Sequence, residues 1–461
     1  MNIVFKFCVD CPSQAKQPLL EHWNGNSALP WSSWMLSIWK GTKVQRKTKN
    51  KQNGTTLPTA EMSALKELEE LLQNTGYLIE GESIPVVLKD EMEINDGKIA
   101  AYAENNTVVA VSLRYCALTS LPESLGQLAH LQQLDVTGNE LTALPESLGN
   151  LPHLEEIHGD MNQLATLPTT LCQLKNLETL RVYGNQLGSL PESIGQLSRL
   201  KDISIGRNQL ESLPESLWQL IHLHSLNLAE NQLSSLSEGI GNLTNLHTLD
   251  LGHNELTALP ESLGKLNNLT FFLYISHNRL RTLPESLFEN LSNLAYLNIT
   301  DNHLTALPEN IGNLTNLKEL RIYNNELTAM PESLDNLTKL KELHVMNNRL
   351  AALPESIGRL ESLKELYVSN NRLTALPGSL GNLTHLTHLD VRNNHLTALP
   401  GSLGNLESLS FLDVRANRLV SLPASIGDLP NLEKLDLRWN KLSPLPEWLG
   451  RLEQRGCTVF M

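Results

Sequence analysis

One phrase of 23 residues recurs about fifteen times between residues 108 and 452, and it restricts the chain to a stacked, one-dimensional fold. The unit reads L-x-x-L-x-L/V-x-x-N-x-L-x-x-L-P-E-S-L-G-x-L-x-x. It stands almost unmodified as LTALPESLGNLPHL from Leu141 and LTALPGSLGNLTHL from Leu373. Its asparagine returns from Asn139 to Asn440 in steps of 23, stretched to 24 only at Asn254–Asn278 and Asn278–Asn302. No single unit holds enough leucine to make a core. Each must bury its apolar side chains against the next, so stability is a sum over neighbours. Leu-x-x-Leu-x-Leu places apolar groups on the inner face of one short strand, and the later Leu-Pro and Leu-x-x-Leu positions close the coil. An asparagine where the strand bends away has donors and an acceptor for backbone groups in the bend and the adjacent coil. The asparagine column is therefore expected to be structural, not catalytic.

The spacing L-x-x-L-x-L-x-x-N/C-x-L is that of leucine-rich repeats, and the chain resembles that family over about three quarters of its length. The L-P-x-x-L-G-x-L wording is similar to the intracellular, Ras-group class and to many bacterial and archaeal arrays. The resemblance implies an α/β fold: a right-handed solenoid, or horseshoe, with a concave parallel β-sheet. Its convex side would carry turns and short 3-10 or α segments. It implies a non-enzymatic scaffold for protein–protein interaction, of the kind used in signal transduction, without carrying any partner across. The family allows cysteine at the asparagine position, so Cys116 reads as a ladder residue and not as a nucleophile.

Four regions follow. Residues 1–56 hold four of the seven tryptophans and a basic run, KGTKVQRKTKNKQNG, from Lys40, and are expected to be a disordered extension. Residues 57–107 are expected to cap the array. Thr59 would cap a helix with Leu65, Leu68, Leu71 and Leu72 on one face, and Asn105-Asn106 would turn between two apolar runs. Residues 108–452 form the solenoid, and 453–461 a C-terminal cap or tail. Two one-residue insertions, at Thr270-Phe271-Phe272 and in LPESLFENL from Leu283, predict a local bulge near Phe271 and Phe272.

Charge and cysteines narrow the setting. The formal charge is −14, and residues 1–56 carry eight Lys/Arg against two Asp/Glu, which leaves −20 on the remainder. So acidic a body argues against nucleic acid as partner. Five cysteines, an odd number with no cluster flanking the array, favour a reducing compartment. The apolar run of the N-terminal stretch MNIVFKFCVDCPSQ is broken by Lys6 and Asp10, so no signal peptide is expected, and no apolar run has the length of a membrane span. The expectation is a cytoplasmic, monomeric protein. The alternative is a secreted or host-directed effector or adhesin.

Binding information must lie in the variable positions. One column falls between the last two strand leucines and a second two residues later; both project from the strands. Two patches stand out in them. One is Tyr274, Arg321, Tyr323, His344, Met346 and Tyr367, residue types enriched at protein interfaces. The other is three pairs, Asp390 with Arg392, Asp413 with Arg415, and Asp436 with Arg438. These twelve residues are the expected partner-binding positions, although the Asp/Arg pairs also fit a self-neutralising ladder. The glutamates of Leu-Pro-Glu, from Glu123 to Glu355, read as a solubility stripe. No cofactor is expected. No metal site is expected at His253 and His277, or at His385, His388 and His395, because no carboxylate or cysteine set converges there. No phosphate-binding loop, H-E-x-x-H or G-x-S-x-G occurs, and no enzyme activity is expected.

Overall fold

The structure, a computed structural model, describes residues 57–88 and 99–461. The extension at residues 1–56 lies outside them. Among the described residues eighteen strands, β1 (Val86–Leu88) to β18 (Thr458–Phe460), make one open sheet. From β3 (Thr107–Ser112) each strand pairs in parallel with the next, down to β18. Among the described residues only β2 (Ala100–Glu104) and β3 run antiparallel, joined at Asn105 and Asn106, which both take positive φ. That is the tight turn expected there, and asparagine tolerates the left-handed region better than most residues.

Most repeats contribute a three-residue strand and a 3-10 turn of about five residues. Almost every turn opens after the proline of Leu-Pro, in extended conformation, as at Pro145 (φ −67°, ψ 142°). The glycine that follows has a steric cause. A Cβ at Gly264 would lie 2.1 Å from the carbonyl oxygen of Ser286 in the next coil. The leucines of strand and turn form one continuous buried core from Leu57 to Cys457.

The ladder asparagines are fully engaged, and all are buried except the last, Asn440, which is half-buried. The Asn325 Nδ2 donates to the carbonyls of Ile299 and Ile322, and its Oδ1 accepts from the Leu304 N–H. Equivalent bonds recur down the column, from Asn139 to Asn440. Each carboxamide thus satisfies backbone groups that the bend leaves unpaired, in its own coil and in the one before. Cys116 opens the column, buried, its thiol pushed up to about 12 by burial, which disfavours the thiolate that a nucleophile needs.

The residue before each ladder asparagine has positive φ, mostly without being glycine. In four successive coils it is Asn324, Asn347, Asn370 and Asn393. Their carboxamides bond in series at 2.6–2.7 Å, ending on Asp301. This second, more exposed amide ladder was not foreseen from the sequence.

Helix α1 (Thr59–Asn74) buries Leu65, Leu68 and Leu72 in the core that holds Val108, Val111 and Leu113. Thr59 is its first helical residue; the cap position is Pro58, which makes no side-chain bond. Glu61 is buried instead and accepts the Val108 N–H at 2.8 Å. At the other end α2 (Leu449–Gln454) and β18 close the last coil. The insertion at Phe271 leaves the ladder in register, with Leu273 opposite both Leu249 and Leu297. Its effect is local: the bonds from Thr270 and Phe271 to the His247 carbonyl lengthen to 3.4 and 3.3 Å, and Phe271 is exposed.

Candidate functional site

The face of the sheet away from the core is where the chain varies. Parallel pairing in register stacks equivalent residues one strand apart, about 4.8 Å. One row reads Arg321, His344, Tyr367, Asp390, Asp413, Asp436. A further row on the same face, two residues earlier in each strand, completes the site. It reads Phe272, Tyr296, Glu319, Glu342, Glu365, His388, Phe411, Lys434. The sequence reading left this row out, yet the period of two that defines a strand face would have found it.

The rows interlock. His344 and Tyr367 stack with ring centroids 4.8 Å apart. Tyr274 lies 5.1 Å from the ring of Tyr296 and 4.9 Å from that of Phe272. Arg321 sits over Tyr296 at 5.8 Å and pairs with Glu319 through its Nε. Glu342 accepts from or donates to His344 Nε2 at 3.2 Å according to protonation state, and the Tyr367 hydroxyl donates to Glu365 at 2.8 Å. The result is a half-buried aromatic band with fixed rings and one guanidinium. Burial, and then Arg321, hold the His344 imidazole below its usual range against the pull of Glu342. Tyr323 and Met346 are half-buried on the same two coils as Arg321 and His344, one position further along this face.

The Asp/Arg pairs have a different character. Asp390, Asp413 and Asp436 are buried, and each accepts the backbone N–H two residues on. Asp135 and Asp250 make the same bond, so a strand-end aspartate holds the bend in five of the coils. The arginines fold back on them: Arg392 to Asp390 at 3.5 Å, Arg415 to Asp413 at 3.1 Å and to Asp436 at 3.6 Å, Arg438 to Asp436 at 2.6 Å. The pairs form the ladder that the sequence allowed, and only the guanidinium halves face outward. Burial pushes Asp413 up to about 6, with the Asp390 carboxylate adding to it. At Asp436 burial acts the same way, but the Arg438 hydrogen bonds prevail and hold the carboxyl below its usual range. Beyond them Lys434 lies between the rings of Phe411 and Phe460, at 5.2 and 5.4 Å.

The glutamate stripe of the outer side is more than a charged coat. Glu123 accepts the Ser147 N–H of the following coil, and Glu238, which follows Ser237 in place of the proline, accepts the Ser262 N–H in the same way, both at 2.9 Å. These bonds lower both carboxyls.

Comparison with known proteins agrees with this architecture. The family model described as leucine-rich repeat region matches residues 208–295, 286–377 and 372–454, and two further leucine-rich repeat models match 175–233 and 130–151. Among solved structures, the leucine-rich repeat protein LIC12759 of Leptospira interrogans is 34% identical. The match covers 76% of this chain and 95% of that one, with a TM-score of 0.69. A TDR receptor is 27% identical, over 72% of this chain and 68% of that one, TM-score 0.58. The plant peptide hormone receptor RGFR1, solved in complex with RGF2, is 25% identical over 76% and 77%, TM-score 0.53. No curated protein matches the chain.

Proposed function

The chain belongs to the leucine-rich repeat family, and from that premise we propose that it is a non-enzymatic scaffold that binds a protein partner on the strand face. The observation that carries this reading is the aromatic band with Arg321 across strands β10 (Phe272–Tyr274) to β14 (Glu365–Tyr367). Interface energy concentrates in a few rigid Tyr, Trp and Arg side chains. Here rings are stacked and a guanidinium is held before any partner arrives, so little side-chain freedom is lost on binding. The plant peptide hormone receptor RGFR1 was solved in complex with RGF2, which is in keeping with partner binding by an array of this kind. The Asp/Arg ladder is the outlying part of the same face, where the arginines rather than the buried aspartates would touch a partner.

The reading is of a monomer that engages no nucleic acid and serves in signalling. We place it in the cytoplasm, since Cys116, Cys172 and Cys457 are free and buried. No helix among the described residues is long and apolar enough to cross a membrane. Affinity capture with the wild-type chain and with a Tyr323→Ala, His344→Ala, Tyr367→Ala variant tests the site. The variant should melt like the wild type and lose the partner that the wild type enriches. Equal capture by both would exclude this patch. Recovery of the protein from culture supernatant instead of cytosol would favour the effector or adhesin reading.

A further inference from the structure

We propose that Glu319, Glu342 and His344 form a site for a divalent transition ion of the zinc type on the strand face. Glu342 and His344 are two residues apart on β13 (Glu342–His344), so their side chains stand on the same side of the sheet. Glu319, on β12 (Glu319–Arg321), is the in-register neighbour of Glu342. One ligand atom from each, two carboxylate oxygens and an imidazole nitrogen, lie within 4.8 Å of one another. Ligands on zinc at about 2.0–2.2 Å sit roughly 3.3–3.5 Å apart in a tetrahedron, so closure needs about 1 Å of side-chain movement. The three residues are half-buried, anchored in the sheet and open outward. Three protein ligands with an open fourth position for water is the arrangement of reactive zinc sites. The mixed nitrogen and oxygen set suits zinc better than magnesium or calcium, which take oxygen ligands. Neighbours already orient the ligands. Arg321 pairs with Glu319, and the Tyr367 ring stacks on His344 at an interplanar angle of 16°. Such outer contacts fix ligand geometry.

The molecule carries its own control. Strand β5 (Glu156–His158) repeats the Glu-x-His spacing, and its Oε2–Nε2 distance is 3.0 Å. There the register neighbour is Gln133, whose amide donates to Glu156 at 3.0 Å. That pair has a hydrogen-bond donor where the second coil pair has its third ligand. The third carboxylate, Glu319, is what distinguishes the two.

The inference stands apart from partner binding, because it is measured on the chain alone. Untagged full-length protein would be titrated with zinc by calorimetry, and with cobalt(II) by visible absorption. One metal equivalent is expected that Glu319→Gln, Glu342→Gln and His344→Ala each weaken at least about tenfold. His158→Ala should keep it. Any thiolate site at Cys8-x-x-Cys11, the cysteine pair of the N-terminal sequence, would announce itself by sulfur-to-cobalt absorption and survive all these substitutions. Thermal melts of the variants confirm that the array remains folded. A wild-type titration indistinguishable from that of His344→Ala, or equal loss in His158→Ala, overturns the proposal.

Discussion

Asp413 shows how a single residue is set by its coil. Its carboxyl is buried, accepts the Arg415 N–H, and faces Arg415 together with the carboxylates of Asp390 and Asp436. The upward push to about 6, from 3.8, has a definite sign. Below about 4 both folded and unfolded states are protonated there. Between about 4 and 6 the folded chain keeps a proton that the unfolded chain releases. The contribution of this group to stability is therefore full at acid pH and declines as pH rises through 6. Carbon NMR of the Asp413 side chain should give a midpoint near 6. Arg415→Ala removes the opposing charge and should move the midpoint higher. A wild-type midpoint at or below 4 would mean that the carboxylate is solvated. Asp436, whose carboxyl is held low, acts in the opposite sense: its contribution is present at neutral pH and lost on acidification.

At the scale of the element, the 3-10 turns pack by a rule that two coils exchange. Most turns pair a glycine with a serine of the next coil, as Gly241 meets Ser262 and Gly264 meets Ser286. Trp218 stands where that glycine belongs, and the residue facing it in the next coil is Gly239, not serine. A Cβ at Gly239 would lie 2.4 Å from the indole. The swap conserves volume across the interface between turns. Gly239→Ser alone should overpack and destabilise by about 1–3 kcal/mol. Trp218→Gly alone should cost about 3–5 kcal/mol for the cavity it leaves. The double variant restores the repeat consensus and should lose much less than the sum. Urea denaturation of the four proteins would measure the coupling, and additive losses would show that the two residues do not share a space.

For the whole array, the ends decide cooperativity. Leucines stacked in one dimension leave an apolar face at each terminus. Helix α1 covers the first with Leu65, Leu68 and Leu72, while Glu61 meets an unpaired N–H of β3. A fragment that begins at residue 57 should melt close to the full chain. A fragment that begins at 108 exposes Val108, Val111 and Leu113 and should melt lower and aggregate. Matching transitions for the two fragments would mean that α1, β1 and β2 do not act as the cap.

Periodicity determined the solenoid and the structural role of the asparagine column, and the resemblance to leucine-rich repeats supplied its parallel sheet. Those features depend on one apolar pattern repeated in every coil, and one register satisfies all coils together. The tight turn at Asn105-Asn106 was legible for the same local reason, since two asparagines accept positive φ. The outward face was legible only in part. Tyr274, Arg321, His344 and Tyr367 could be placed in a column, but the row with Glu319, Glu342 and Tyr296 was passed over, and with it the Glu319–Glu342–His344 cluster. Which residues of adjacent coils touch depends on strand register and side-chain direction, and a 23-residue separation in sequence hides a distance of one strand. The burial of Asp390, Asp413 and Asp436 was likewise decided by tertiary structure. An aspartate beside an arginine looks exposed in a sequence, and it becomes buried only when the bend of its own strand needs an acceptor and the next coil closes over it.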